Sequence, residues 1–157
     1  MKVAIGQDSH KFENDNTKKL CILGGVPFPE TPGLKANSDG DVVLHAITNA
    51  VSGITCRNIL GGVADKMCDE GIFDSVEYLK VALEDLDRLS YKISHLSISM
   101  ECKRPMIMPR VNEMRESIAN IMGINTSQVG LTATTGEGLT SFGKGEGIFV
   151  TCILTVE

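Results

Sequence analysis

The sequence predicts an α+β fold, in which a β-sheet is backed by about three helices on one side. Two patterns carry this prediction. Several short segments alternate apolar and polar residues, as half-buried strands do, and three longer segments repeat apolar residues at helical spacing. The chain of 157 residues has the length of one domain, and no repeat or linker divides it, so we expect a single domain over residues 1–157.

The first strands are predicted near the N-terminus. Residues 3–5 form a short apolar segment, and residues 20–23 and 26–28 flank two glycines, a pattern typical of a hairpin. Residues 29–33 contain two prolines and a glycine, which indicates a loop.

The first helix is predicted over the apolar run at residues 42–54. Ser38, with Asp41 three positions later, has the form of a capping box before that helix. Residues 61–71 show no clear periodicity, so we expect an irregular segment there.

The second half is predicted to contain two helices and three strands. One helix follows the candidate caps Asp74 and Glu77, and its apolar residues are Val76, Leu79, Leu83 and Leu86. The other begins at Pro109 and ends at Gly123, as proline and glycine favour. Alternation predicts strands at residues 92–101, 129–133 and 148–156.

Charge and composition exclude several classes of function. The net charge of −5 disfavours a nucleic-acid partner, which needs clustered Lys and Arg. No apolar run approaches the ~20 residues of a membrane span, and no export signal is visible. Five cysteines without a C-x-x-C pair fit reduced thiols, mostly in the core. We therefore expect a cytoplasmic protein that binds neither nucleic acid nor a membrane.

Asp8, His10 and His45 form a candidate metal site. Residues two apart on an extended strand point to the same face, so Asp8 and His10 converge, and His45 on the first helix offers a third ligand. One carboxylate and two imidazoles suit zinc with an open fourth position. Asp41, four residues before His45, is expected to accept the second ring N–H of that histidine.

The alternative is that Asp8 and His10 are paired by chance and that His45 is an ordinary hydrogen-bonded residue. His95 has no acidic neighbour in sequence, and we expect it to be a partly buried polar residue.

Two further segments are candidates for phosphate binding. Thr134 and Thr135 follow a strand, and Glu137 offers a carboxylate for Mg²⁺ between phosphates. Lys144 lies among alternating glycines that permit close backbone approach. The alternatives are an ordinary β-turn and a glycine-rich hairpin, and neither segment matches a nucleotide-binding motif.

These segments, in this order, resemble the 2-C-methyl-D-erythritol 2,4-cyclodiphosphate synthase family of the non-mevalonate isoprenoid pathway. The similarity spans nearly the whole chain, and the matching segments are residues 6–10, 23–29, 33–34 and 38–46, Arg104-Pro105, Met108-Pro109, Met114-Arg115, Ala133-Thr134-Thr135 with Glu137, and residues 143–148.

The resemblance implies a homotrimer with active sites between subunits. It implies a substrate that is a cytidine diphosphate derivative of methylerythritol 2-phosphate, whose 2-phosphate attacks the β-phosphorus and releases CMP. Asp8, His10 and His45 would hold one Zn²⁺ per subunit, and Glu137 would hold a second divalent ion, Mg²⁺ or Mn²⁺. Thr135 matches the threonine that contacts the phosphates. Substrate contacts are expected from the same motifs, at Ser9, Ser38, Pro105, Met108, Thr134, Gly136 and Lys144.

The sequence departs from the family pattern around the substrate. Asn37 stands where the family usually has a histidine, and we expect its amide to contact a phosphate. Residues 57–65 do not match the family's substrate-recognition stretch, Met106 replaces a lysine, and Lys144 replaces an arginine. Two alternatives therefore stand beside the synthase: a non-catalytic trimer that binds an isoprenoid or other diphosphate, and a zinc phosphohydrolase that gives linear products.

Overall fold

The computed structural model describes residues 1–157 and confirms the α+β class. Three strands come first, followed by three helices, a fourth strand, a fourth helix and two last strands. The strands are β1 (Lys2–Lys11), β2 (Leu20–Leu23), β3 (Val26–Pro32), β4 (Ile93–Glu101), β5 (Val129–Thr134) and β6 (Gly147–Val156). The helices are α1 (Val42–Thr55), α2 (Gly62–Asp69), α3 (Ser75–Arg88) and α4 (Val111–Met122). None of them is long and apolar enough to cross a membrane.

The main sheet is mixed, with the strand order β1-β6-β4-β5, and the β2-β3 hairpin stands apart from it. β6 pairs antiparallel with both β1 and β4, whereas β4 and β5 are parallel. The carboxyl ends of parallel strands meet at one edge of a sheet, so Glu101 lies opposite Thr134. This edge therefore carries the turn that contains Thr135 and Glu137.

Helix α1 packs across β1 and β6, and this contact determines where His45 lies. Gly6 allows the close approach, because a Cβ at that position would lie 2.1 Å from the carbonyl oxygen of Ala46. The opposite face of the sheet is uncovered in a single chain. It exposes Val3, Ile5 and Ile153 by 62%, 66% and 46% among Ser and Thr side chains.

Three predicted boundaries were wrong. β1 is ten residues long rather than three. Its second half has mostly polar side chains and so shows no apolar pattern in the sequence, but its backbone pairs with β6 as far as Lys11. β3 continues to Pro32 through the expected loop, with a register shift between Leu20 and Cys21. The expected irregular segment contains α2, a short helix in which only Ala64 is fully buried. There are consequently four helices rather than about three.

Two of the predicted helix caps are confirmed and one is wrong. Asp74 is the N-cap of α3, and Gly123 ends α4 in a left-handed conformation, as expected. Ser38 is not the N-cap of α1: Asp41 holds that position and accepts a hydrogen bond from Leu44 N at 3.0 Å.

The structure also shows the state of the cysteines and the exposure of the third histidine. All five cysteines are free, and Cys21, Cys102 and Cys152 are buried. The prediction for His95 was wrong: it is exposed, because it precedes buried Leu96 and lies on the same exposed face of β4 as Ser97.

Candidate metal centre

Asp8, His10 and His45 bring three donor atoms together. Asp8 Oδ2 lies 2.8 Å from His10 Nε2 and 3.1 Å from His45 Nδ1. The two ring nitrogens are themselves 3.1 Å apart. Donors around a tetrahedral ion with bonds of ~2.0–2.1 Å are separated by about 3.3 Å. The three side chains therefore fit a divalent metal ion of this kind.

The local structure explains why these side chains meet. Asp8 and His10 lie two apart on β1, with Val150 and Ile148 of β6 as their register partners. The strand therefore directs both side chains to the face that α1 covers. His45 is buried at the end of the first turn of α1, where the close contact at Gly6 holds it against β1.

The electrostatics favour a bound cation. Partial burial opposes the ionised form of Asp8, but the hydrogen bonds and positive charge of His10 and His45 outweigh it and lower the pKa of Asp8 to about 2. Asp8 is thus a carboxylate at any pH at which histidine is a competent ligand.

The prediction that Asp41 orients His45 was wrong. Both carboxylate oxygens of Asp41 are occupied by backbone donors, with Gly24 N at 2.8 Å and Gly25 N at 2.7 Å in addition to the capped helix. The second ring nitrogen of His45 instead lies 2.7 Å from Ser75 Oγ and 3.3 Å from Ser38 Oγ. An N-cap side chain points along the helix end, so it cannot also reach a side chain one turn later.

A cleft of about 390 Å³ opens onto the three metal-ligand candidates. Asn37 and Ser38 line it beside the metal-ligand candidates. Its far wall consists of Leu60, Gly61, Ala64, Asp65, Cys68 and Tyr78. None of these was predicted as a site residue, although residues 57–65 stand where the family has its substrate-recognition stretch. The apolar residues of α2 do follow helical spacing, but the helix is too short and too exposed for the pattern to be recognised.

A second cavity, of about 120 Å³, lies at the carboxyl ends of β4 and β5. Pro105, Met108, Thr134 and Thr135 line it together with Met106. It shares no lining residue with the cleft at the metal-ligand candidates. Within one chain, the structure therefore does not bring Thr135 and the metal-ligand candidates into one site.

The other expected site residues lie outside both cavities. Ser9 faces the uncovered side of the sheet and lines a separate cavity with His10 and Lys11. Glu137 and Lys144 are exposed. Gly136 is buried with a φ of +77°, and a Cβ there would lie 2.7 Å from Glu101 Oε1. This turn is therefore packed closely against the end of β4.

The model of the YgbB family matches residues 1–157. The chain belongs to the YgbB family.

Relatives of this YgbB protein include two curated proteins, both named 2-C-methyl-D-erythritol 2,4-cyclodiphosphate synthase. The protein of Chlamydia muridarum is 51% identical over 156 residues, covering 99% of this chain and 87% of that protein. The protein of Chlamydia felis is 49% identical, with coverage of 99% and 88%. They confirm the resemblance that the motifs predicted.

Solved structures of YgbB relatives confirm the fold. IspF of Plasmodium falciparum in complex with CDP aligns with a TM-score of 0.85 at 23% identity, covering 98% of this chain and 94% of that one. Bifunctional IspDF of Campylobacter jejuni aligns with a TM-score of 0.84 at 28% identity, covering 98% of this chain and 41% of the longer protein.

Proposed function

We propose that the chain converts 4-diphosphocytidyl-2-C-methyl-D-erythritol 2-phosphate to 2-C-methyl-D-erythritol 2,4-cyclodiphosphate and CMP. The observation that carries this proposal is 51% identity to a named synthase over 99% of the chain, with Asp8, His10 and His45 assembled as one ligand set. The reaction belongs to non-mevalonate isoprenoid biosynthesis, and the enzyme is a phosphorus–oxygen lyase that cyclises its substrate. The same relatives support this reading over a non-catalytic binding protein.

The chemistry is an intramolecular displacement. An oxygen of the 2-phosphate attacks the β-phosphorus, the bond from that phosphorus to the bridging oxygen breaks, and CMP leaves with the electron pair. The attacking phosphate is already anionic, so no strong base is required. The protein has to align the two phosphates and neutralise their charge.

Asp8, His10 and His45 are proposed to hold Zn²⁺, because one carboxylate and two imidazoles leave a fourth tetrahedral position open. When bound, the ion would supply positive charge to a diphosphate oxygen. Glu137 is proposed as the ligand of a second divalent ion, Mg²⁺ or Mn²⁺. Its carboxylate is exposed in the turn after β5, where a substrate phosphate has free access.

The remaining side chains bind and orient the substrate. Thr134, Pro105 and Met108 are proposed to hold the nucleotide end in the smaller cavity, and Thr135, which lines the same cavity, is proposed to contact the phosphates. Ser38 and the Asn37 amide donate to a phosphate in the larger cleft, and α2 closes the far side around the methylerythritol portion.

A homotrimer is proposed to complete the site. The two cavities are separate within one chain, so substrate contacts at both require a neighbouring subunit. The uncovered sheet face, with exposed Val3, Ile5 and Ile153, is apolar enough for that contact. Closed rings of identical subunits are a common way to use such a face. Ser9 then lies at the subunit interface.

The proposed location is the cytoplasm. Five free thiols, three of them buried, suit a reducing compartment.

The direct test is turnover. Purified protein is incubated with the cytidylated substrate, Zn²⁺ and Mg²⁺, and the products are identified by ³¹P NMR. We expect equal amounts of CMP and cyclic diphosphate. Linear products would identify a phosphohydrolase, and tight binding without turnover would identify a binding protein. Asp8→Asn should abolish turnover, whereas Asp87→Asn, at an exposed position of α3, should not.

A further inference from the structure

We propose that Ser75, supported by Asp39, is a positioning residue for metal binding: it keeps the His45 proton on Nε2 and so presents the Nδ1 lone pair to the ion. The inference rests on the metal site proposed above. It replaces the role that the sequence suggested for Asp41.

The two nitrogens of His45 face different surroundings. Nδ1 lies 3.1 Å from Asp8 Oδ2, and the same nitrogen is 3.1 Å from His10 Nε2. Nε2 points the other way, towards Ser75 Oγ at 2.7 Å. A neutral imidazole carries one proton, and a metal binds the nitrogen that lacks it. The partner of Nε2 therefore has to hold the proton against the Asp8 carboxylate, which faces Nδ1.

The direction of the Ser75 hydroxyl bond decides whether Ser75 Oγ donates to His45 Nε2 or accepts from it. Ser75 Oγ donates a short hydrogen bond to Asp39 Oδ1. Ser75 N also donates to the second oxygen of that carboxylate at 3.0 Å. An ionised carboxylate only accepts hydrogen bonds, so it draws the single hydroxyl proton of Ser75. The Ser75 oxygen is left as an acceptor, and Nε2 must carry the proton.

Ser38 is the only competing partner of Nε2 among the hydrogen bonds of His45, and it is weaker. Its Oγ lies 3.3 Å from Nε2, against 2.7 Å for Ser75. Ser38 Oγ also accepts a hydrogen bond from Gly40 N at 3.2 Å, which leaves a second lone pair that can accept from Nε2 as Ser75 does. The shorter contact with Ser75 therefore dominates the choice of tautomer.

The Asp39–Ser75 pair is built into the contact between two helix starts. Ser75 is fully buried as the first residue of α3, and Asp39 lies in the turn before α1. Asp39 N donates to the carbonyl of Phe73 at 2.8 Å, and Asp41 N donates to Asp39 Oδ1 at 3.0 Å. These backbone contacts do not use the Ser75 hydroxyl. Ser75→Ala should therefore keep the two elements docked.

The experiment compares Ser75→Ala with Ser52→Ala in the full chain. Ser52 is a buried serine of α1 whose hydroxyl has no partner, so it is a matched control. Zinc affinity is measured by competition with a chromogenic chelator. We expect Ser75→Ala to weaken it by about 10–100-fold, as loss of an outer partner of a ligating histidine typically does. Ser52→Ala should match the wild type.

A second readout follows the proton itself. Long-range ¹H–¹⁵N spectra are recorded on the zinc-loaded full chain, because in the metal-free chain the Asp8 carboxylate, 3.1 Å from Nδ1, competes for the His45 proton. The Nε2 proton should exchange slowly with solvent in the wild type and in Ser52→Ala, and faster in Ser75→Ala, which lacks the acceptor. Unchanged zinc affinity in Ser75→Ala would overturn the proposal, and so would weaker affinity with an unchanged exchange rate of that proton.

If Ser75→Ala fails to fold, Asp39→Ala decides the question. Without the Asp39 carboxylate, the Ser75 hydroxyl proton is free to turn towards Nε2, so zinc affinity should fall and the Nε2 proton should exchange faster. Wild-type affinity and exchange in a folded Asp39→Ala variant would overturn the proposal. Neither measurement uses the cytidylated substrate, so a failure of the proposed reaction would not be mistaken for a failure of this inference.

Discussion

Asp41 shows how a single carboxylate joins two elements beside the metal site. It caps α1 and binds the two glycine amides of the β2-β3 turn, all within a fully buried position. Its two oxygens together receive three N–H donors. The residue therefore fixes the start of the helix that carries His45 without contacting the imidazole.

Asp41→Asn tests that structural role. One of the two positions would become an NH₂ facing an N–H donor, and a buried unsatisfied polar group costs about 1–3 kcal/mol. We expect the free energy of unfolding to fall by that amount, measured by denaturant titration. Zinc affinity of the folded variant should stay within about 3-fold of the wild type, below the 10–100-fold typical of a histidine's direct partner. A larger loss of affinity with unchanged stability would contradict this assignment.

Asn37 is proposed to contact a substrate phosphate. Its side chain is exposed and lines the cleft beside the metal-ligand candidates. If its amide meets developing charge on a phosphate, Asn37→Ala should lower turnover by up to ~100-fold. Exposed substitutions without structural contacts usually change stability by less than about 0.5 kcal/mol. The melting temperature should therefore barely change.

Asn37→His tests whether a side chain that can carry charge at this position changes turnover. A histidine titrates near neutrality and a charge-assisted hydrogen bond is about twice as strong as a neutral one. We expect higher turnover or a new pH dependence between about 6 and 7. If instead Asn37 only stabilises the turn before Ser38, Asn37→Ala would lower stability by ~1 kcal/mol and leave turnover per folded site unchanged.

At the scale of elements, the approach of α1 to β1 positions the third metal-ligand candidate. Gly6→Ala should force the two apart, because the added Cβ would lie 2.1 Å from Ala46 O and 2.4 Å from Ala50 N. We expect a loss of about 1–3 kcal/mol or more in stability, with weaker zinc binding. Gly62→Ala is the matched control, since nothing lies within 4 Å of its added Cβ. Equal stability of the two variants would disprove the role of this contact.

Helix α2 forms the far wall of the cleft, and Tyr78 of α3 holds it in place. The Tyr78 hydroxyl donates to Ile72 O at 2.6 Å and lies 3.0 Å from Cys68 Sγ. Tyr78→Phe removes both contacts and should lower stability by about 1–2 kcal/mol. We expect KM to rise more than kcat falls, with zinc affinity unchanged, because α2 carries no metal ligand. Tyr91→Phe, away from the cleft, should leave KM unchanged.

At the scale of the whole molecule, the proposed homotrimer can be tested. A homotrimer should be visible by light scattering as three times the 16.9 kDa chain mass. Ile5→Glu places a charge on the uncovered sheet face and should dissociate it, because burial of an unpaired charge is costly. The resulting monomer should keep zinc but lose turnover. Leu89→Glu, at an exposed apolar position at the end of α3, should remain trimeric and active. A stable wild-type monomer with full activity would exclude a site between subunits.

Sequence periodicity determined the α+β class and most of the elements. Alternation located β4, β5 and β6, and the caps Asp74 and Gly123 located helix ends, because these signals depend only on neighbouring residues. The same local logic predicted that Asp8 and His10 share a strand face, and His45 joined them as expected. The motifs also identified the family over the whole chain.

Tertiary structure alone decided what surrounds those residues. Ser75 reaches His45 across a sequence separation of 30, and the uses of Asp41 depend on a hairpin turn 16 and 17 residues away. The separation of Thr135 from the metal-ligand candidates depends on how β4, β5 and β1 are ordered in the sheet. Local patterns record which face a side chain occupies. They do not record which distant backbone or side chain meets it, because chain folding sets those contacts.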